Sequence, residues 1–276
     1  MKLGTATSVL YQYDIRDAVD LVARLGFDGV DLWGGRPHIY RQDLTQEELK
    51  ALRHRIAGLG LTVASLMPAF FRYPHSLSNP NPRVRADSID YMRRCVDNAA
   101  VLGAPIVLVV PDHSLHGQTR ADSLSRFVES VAEVARYALP YDLKLGLEIL
   151  YDDETDFLNS ADDALAIIAQ VGQQNLGVVL DSGTLHLSKE PLDELLTKLG
   201  ALVLQVHVSD NHGHDEQENL IPGEGTYDFA GLIRTLKAHG YDGYLSAEIT
   251  KGYAPTAEQA LRTTLERLRG WMQANG

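Results

Sequence analysis

Four residues of types that bind metals and move protons close four short apolar runs. Glu148 stands in LKLGLEIL, Asp181 ends LGVVLD, His207 stands in LVLQVHVSD and Glu248 lies near the end of YLSAEI. Two glutamates, an aspartate and an imidazole form an oxygen-rich donor set with one nitrogen. Such a set suits one divalent ion, Mn²⁺ first, with Mg²⁺, Co²⁺ or Zn²⁺ as alternatives. A single acid at a strand end is more commonly a helix cap or an ion-pair partner. Four together differ, because three carboxylates around one pocket repel one another unless a cation neutralises them. The chemistry open to such a site is proton abstraction beside a carbonyl. A metal on the carbonyl oxygen stabilises the enediolate that forms, and carboxylates on opposite sides of the substrate can invert the centre.

Further polar and aromatic residues follow other apolar runs. Trp33, Arg36 and His38 come just after the second. An aromatic ring at a barrel mouth packs against a sugar's apolar face. Arg36 or His38 offers a hold for a phosphate or carboxylate, and Trp33 can equally fill the barrel interior. Asp112 and His113 follow the fourth run, either to bind hydroxyls or to cap a loop. His75, in the third loop, is a weaker candidate.

The elements that must position these residues alternate regularly. Eight strand-like runs cover 3–7, 29–33, 62–66, 106–110, 145–149, 177–181, 203–208 and 244–249. Helical patterns lie near 15–25, 45–59, 83–102, 120–138, 160–171, 191–199, 227–239 and 255–273. Continuous apolar strands imply burial on both faces, as in a parallel sheet. Eight strand–helix units predict one (β/α)₈ TIM barrel spanning 1–276, with the metal site at the C-terminal ends of strands five to eight. Gly26, Gly60, Gly103, Gly172, Gly200 and Gly240 each follow a helical stretch, as C-terminal caps do. The long segments 67–82, with Phe70, Phe71 and Tyr73, and 209–226 fall at the face where barrel active sites sit. The first suits a pocket cap or a subunit contact.

Composition bounds the function. The 276 residues are 45% hydrophobic and 22% charged, which is ordinary for a globular domain, and the net charge is −12. An acidic chain is a poor partner for nucleic acid. No window reaches the length of a membrane span, and the N-terminus reads as a strand, so a cytoplasmic protein is expected. The lone cysteine, Cys95, falls in a helical pattern and is expected to be buried.

The chain resembles the xylose-isomerase-like superfamily of sugar isomerases and epimerases, and within it the ketose 3-epimerases and the fructoselysine 3-epimerase branch. The carriers are GFDGVDLWGGRPH at 26–38, RADSIDYMRRCVDNAAVLGAPIVLVV, EILYDDE at 148–154, HVSD at 207–210, PGEGTYDF at 222–229 and GYDGYLSAEI at 240–249. The resemblance implies that Glu148 and Glu248 are both metal ligands and the acid–base pair, and that Asp181 and His207 are ligands only. It implies that Glu154 contacts substrate hydroxyls, although Glu154 also reads as a solvated acid in an acidic run. It implies a small sugar substrate and a homo-oligomer, dimer or tetramer. Two departures stand out. Where the family has a histidine three residues after the Asp ligand, this chain has Thr184, with His186 nearest. Where it has an arginine after the His ligand, this chain has Asn211-His212-Gly213-His214. His212 or His214 is the available substitute, unless both are solvated loop residues. Within the superfamily, a dehydratase of inosose or dehydroshikimate would begin with the same proton abstraction. A three-zinc abasic-site endonuclease would need more histidines at these strand ends. A barrel without activity, serving as a scaffold, conflicts with the paired glutamates.

Overall fold

A computed structural model describes residues 1–70, 74–188 and 190–275; Phe71 and Tyr73 lie outside the described residues. Eight parallel strands close into a barrel in sequence order. They are β1 Lys2–Ala6, β2 Gly29–Trp33, β3 Thr62–Met67, β4 Ile106–Val109, β5 Lys144–Glu148, β6 Leu176–Asp181, β7 Val203–Val208 and β8 Tyr244–Ala247. The helices around them are α1 Ile15–Leu25, α2 Gln46–Gly58, α3 Pro82–Leu102, α4 Arg120–Ala138, α5 Ala161–Val171, α6 Ser182–Leu187, α7 Leu192–Leu199, α8 Phe229–Ala238 and α9 Ala257–Ala274. The eight expected strands and their helices are present, with ends shifted by up to two residues. The short α6 is an addition that the sequence pattern does not announce. No helix is long and apolar enough to cross a membrane among the described residues.

Local chemistry starts and stops these helices. The Asp14 side chain accepts from Arg16 N to begin α1, and Gly26, at φ 95°, ends it in the left-handed conformation. Thr45 and Glu48 form a reciprocal capping box on α2. The helices bury Leu, Ile and Val side chains against the outer face of the barrel, and Cys95 is buried there on α3. A smaller apolar set, Ala6, Met67, Ile106, Leu108 and Val179, lies apart from that core.

The strand register arranges the inward side chains in layers of four from alternate strands. Trp33, Val110, Asp181 and Glu248 form the uppermost layer. Ala6, Met67, Glu148 and His207 come next, then Asp31, Leu108, Val179 and Ser246, with Gly4, Gly146 and Gln205 beneath. Irregularities at Val30/Asp31 and Val178/Val179 shift the pairing of β3 and β7. The layers decide what faces the barrel mouth. The β5–β8 side presents carboxylates and a histidine, and the β1–β4 side presents Trp33, Met67 and Val110.

Candidate active site

His207 Nδ1 stands 3.1 Å from Glu148 Oε1 and 2.8 Å from Glu248 Oε2. One donor atom from each of these three residues lies within 4.8 Å of the other two. His207 is fully buried, Glu148 is buried, and the Glu248 side chain keeps 31% exposure toward the mouth. Burial pushes the Glu148 carboxyl up; His207 opposes that rise and Glu248 adds to it. Burial alone would push His207 down. The two carboxylates outweigh it and hold the imidazole well above its ordinary value.

Asp181 lines the same cavity from the uppermost layer, outside the three-residue cluster. Its Oδ1 accepts from Gly183 N at 2.6 Å and Thr184 N at 3.2 Å, which starts α6. One aspartate therefore serves as helix cap and cavity wall together. The donor set fits a divalent ion: two carboxylates and a ring nitrogen converge in a buried place, and no lysine or arginine lines the cavity among the described residues.

The cavity has a volume of about 440 Å³. One wall is acidic, with Glu148, Glu154, Asp181 and Glu248; the other is apolar, with Trp33, Met67, Phe70 and Val110. Glu154 is buried, and Gln217 Nε2 donates to its Oε1 from the loop after β7. Asn219 and Thr250 complete that rim, with Thr250 N donating to Asn219 O at 2.7 Å. On the apolar side the Tyr91 hydroxyl accepts from Ala69 N at 2.7 Å and donates to Gly34 O at 2.9 Å. Tyr91 so fixes the backbone next to Phe70.

The motifs HVSD and PGEG meet at one buried carboxylate. Asp210 Oδ1 accepts from Asn211 N and Tyr227 N, and Oδ2 accepts from Gly223 N and Gly225 N, at 2.8–3.1 Å. Four backbone donors from both ends of the loop converge on this side chain. Gly225 is required there, because a Cβ would fall on the Asn211 carbonyl oxygen and on Asp210 Oδ1.

Of the expected substrate contacts, Trp33 and Glu154 are on the cavity wall. Arg36, His38, His113, Thr184, His186 and His212 are not, and each has a physical reason. Arg36 is an exposed partner of Asp43, with Nη2 at 3.0 Å from Oδ1. His38 is buried with its ring nitrogens against Thr7 Oγ1 and Tyr13 O, and meets the Trp33 ring edge-on at 5.9 Å. His113 is exposed beside Asp156. Thr184 and His186 lie on α6, where His186 packs against Tyr227. His212 pairs with Glu218 at 2.9 Å in the solvent, and His214 is exposed next to it. Asp112 accepts from Ser78 N at 2.8 Å and so holds the segment before α3. His75 is buried in a stack with Tyr91, ring centres 4.0 Å apart. Phe70, named above in the apolar third loop, lines the cavity, whereas Gln217 and Asn219 were not singled out by residue type. They reach the cavity through loop paths that no local pattern encodes.

A family model for the xylose isomerase-like TIM barrel matches residues 19–271. Fructoselysine 3-epimerase of Shigella flexneri is 27% identical over 269 residues, covering 98% of this chain and 97% of that protein. D-psicose 3-epimerase of Ruminiclostridium cellulolyticum is 25% identical over 243 residues, covering 86% of this chain and 79% of that protein. The crystal structure of D-psicose 3-epimerase with D-tagatose from Clostridium cellulolyticum H10 superposes with a TM-score of 0.83 at 19% identity, over 99% of both chains. At that identity the superposition speaks to the fold.

Proposed function

This chain belongs to the xylose isomerase-like TIM-barrel family, and from that premise we propose that it is a divalent-metal-dependent epimerase or isomerase of the ketose 3-epimerase kind. Its substrate is a small sugar or sugar derivative. The observation that carries this reading is the pair Glu148 and Glu248, set in different layers of one cavity and both within 3.1 Å of His207 Nδ1.

Glu148, Asp181, His207 and Glu248 are the residues to hold the ion, Mn²⁺ first. When bound, the ion supplies positive charge that polarises a carbonyl and makes the neighbouring C–H more acidic. The chain's own groups do the rest. One of Glu148 and Glu248 takes the proton from the carbon, and the other delivers a proton to the opposite face. The Trp33 wall packs against the apolar face of the sugar. Glu154 accepts from a substrate hydroxyl, and the Gln217 amide keeps Glu154 in place. The relatives named above, a fructoselysine and a D-psicose 3-epimerase, support this class of reaction. The acidic wall, where no lysine or arginine lines the cavity among the described residues, disfavours a nucleic-acid substrate. A homo-oligomer belongs to the same proposal and is read by light scattering.

The test is a panel of free ketoses and fructoselysine with Mn²⁺ in D₂O, followed by proton NMR. Deuterium is expected at the carbon beside the carbonyl. Glu148→Gln and Glu248→Gln are each expected to slow its uptake by about 10²–10⁴-fold. Wild-type rates in both variants would sink the assignment, and loss of water from the sugar would move it to a dehydratase.

A further inference from the structure

Beneath the ligand layers the barrel holds polar groups that the reaction above does not use. Asp31, on β2, is fully buried. Its Oδ1 accepts from Ser65 Oγ at 2.7 Å and from Gln205 Nε2 at 2.8 Å, both neutral donors. Its Oδ2 is buried with no hydrogen-bond partner, and so are Gln205 Oε1, Ser246 Oγ and His207 Nε2. Buried polar atoms are otherwise nearly always paired.

The register brings these atoms into adjoining layers. Asp31 and Ser246 share one layer, His207 is in the layer directly above and Gln205 in the layer directly below. Gln205 and Ser246 each sit two residues before a ligand, His207 and Glu248, on the same face of the strand. Room for them is made by glycine: a Cβ on Gly4 would fall on Ser246 Oγ. The chemistry of the four atoms is complementary. Asp31 Oδ2 and Gln205 Oε1 accept only, and a hydroxyl gives and takes. His207 Nε2 carries a hydrogen whenever Nδ1 faces an ion. Two acceptors, a hydroxyl and an N–H are the partners that one buried water satisfies.

We propose that Asp31 is a positioning residue for the ligand His207: with Gln205 and Ser246 it receives the His207 Nε2–H through one ordered water, which fixes the imidazole with Nδ1 toward the ion. This rests on the reading of the metal site above. Ring nitrogens opposite a metal are commonly tied to a carboxylate in this way, and loss of that tie weakens metal binding by about 10–100-fold.

The experiment is Mn²⁺ titration calorimetry on wild type, Asp31→Asn and Ser246→Ala, with a high-resolution crystal structure of metal-free wild type. Asp31→Asn keeps the shape and removes an acceptor. It is expected to raise the Mn²⁺ dissociation constant by at least about tenfold. Ser246→Ala, a smaller change that keeps the test open if Asp31→Asn fails to fold, is expected to raise it severalfold. The crystal structure is expected to show a water within hydrogen-bond distance of His207 Nε2 and Asp31 Oδ2. Wild-type affinity in whichever variants fold, or a crystal structure in which His207 Nε2 donates to another protein group, overturns the proposal. If wild type binds no Mn²⁺, the metal reading fails, while the crystal structure still decides the water link.

Discussion

Replacing Asp112 by asparagine should make the protein's stability less sensitive to pH, and the size of the change follows from its surroundings. Asp112 is 9% exposed, in the loop after β4. Burial pushes its carboxyl up to about 6, against an opposing pull from the Ser78 and Leu77 amides and the Ser78 and Ser76 side chains. The unfolded chain holds an aspartate near 3.9. Between these values the folded protein binds more protons than the unfolded one, so stability falls as pH rises through the window. Well below about pH 4 the carboxyl is protonated in both states and the penalty is absent; above about pH 6 it is fully present. Two pH units at 1.36 kcal/mol each amount to about 3 kcal/mol. Asparagine keeps an oxygen to accept from Ser78 N and does not titrate. The stability of Asp112→Asn minus that of wild type should therefore rise by about 2 kcal/mol from pH 4 to pH 7, the remainder falling below pH 4. Urea unfolding at several pH values, analysed with a shared slope, measures this directly. A difference that stays constant within about 0.5 kcal/mol across the range would refute the account of Asp112 as a buried, strained carboxylate.

Two further outcomes can be checked with purified protein. Gly225→Ala forces a Cβ onto the Asn211 carbonyl and the Asp210 carboxylate; about 1–3 kcal/mol of strain should lower Tm by roughly 3–10 °C, and an unchanged Tm would mean the loop relaxes freely. Mn²⁺ added to chelator-treated protein at about 100 times its dissociation constant should stabilise by about 2.7 kcal/mol, a rise in Tm of roughly 5–10 °C; no shift would count against an ion at Glu148, His207 and Glu248.

The fold was legible because the strands are mainly apolar runs and most of the helices carry their own side-chain caps. The acids and histidine at the ends of β5 to β8 were legible for the same reason, since strand order sets which ends are neighbours. The rest of the cavity wall was not. His38 and Arg36 look like binding residues by type, but their partners Thr7, Tyr13 and Asp43 are set by loop paths. Gln217 reaches Glu154 across a separation of 63 residues, which no local pattern announces. α6 escaped notice because it is six residues long and begins on Asp181, whose side chain reads as a ligand before it reads as a cap. Asp31 left a usable signal: an acid inside an apolar strand, two residues before Trp33 and on the same face.

The four amide bonds gathered by Asp210 have a consequence for how such a barrel can change its preferences. Asp210 also pairs with Leu220 through both backbone groups, so residues 212–219 form an excursion whose two feet are clamped independently of what lies between. Lengthening a loop whose ends are already held costs little, about 0.6 kcal/mol for each doubling. His207, three residues before the clamp, keeps its place whatever the excursion contains. The segment carrying Gln217 and Asn219 to the cavity is thus an exchangeable cassette, in which one wall of the cavity can vary without disturbing Glu148, His207 and Glu248.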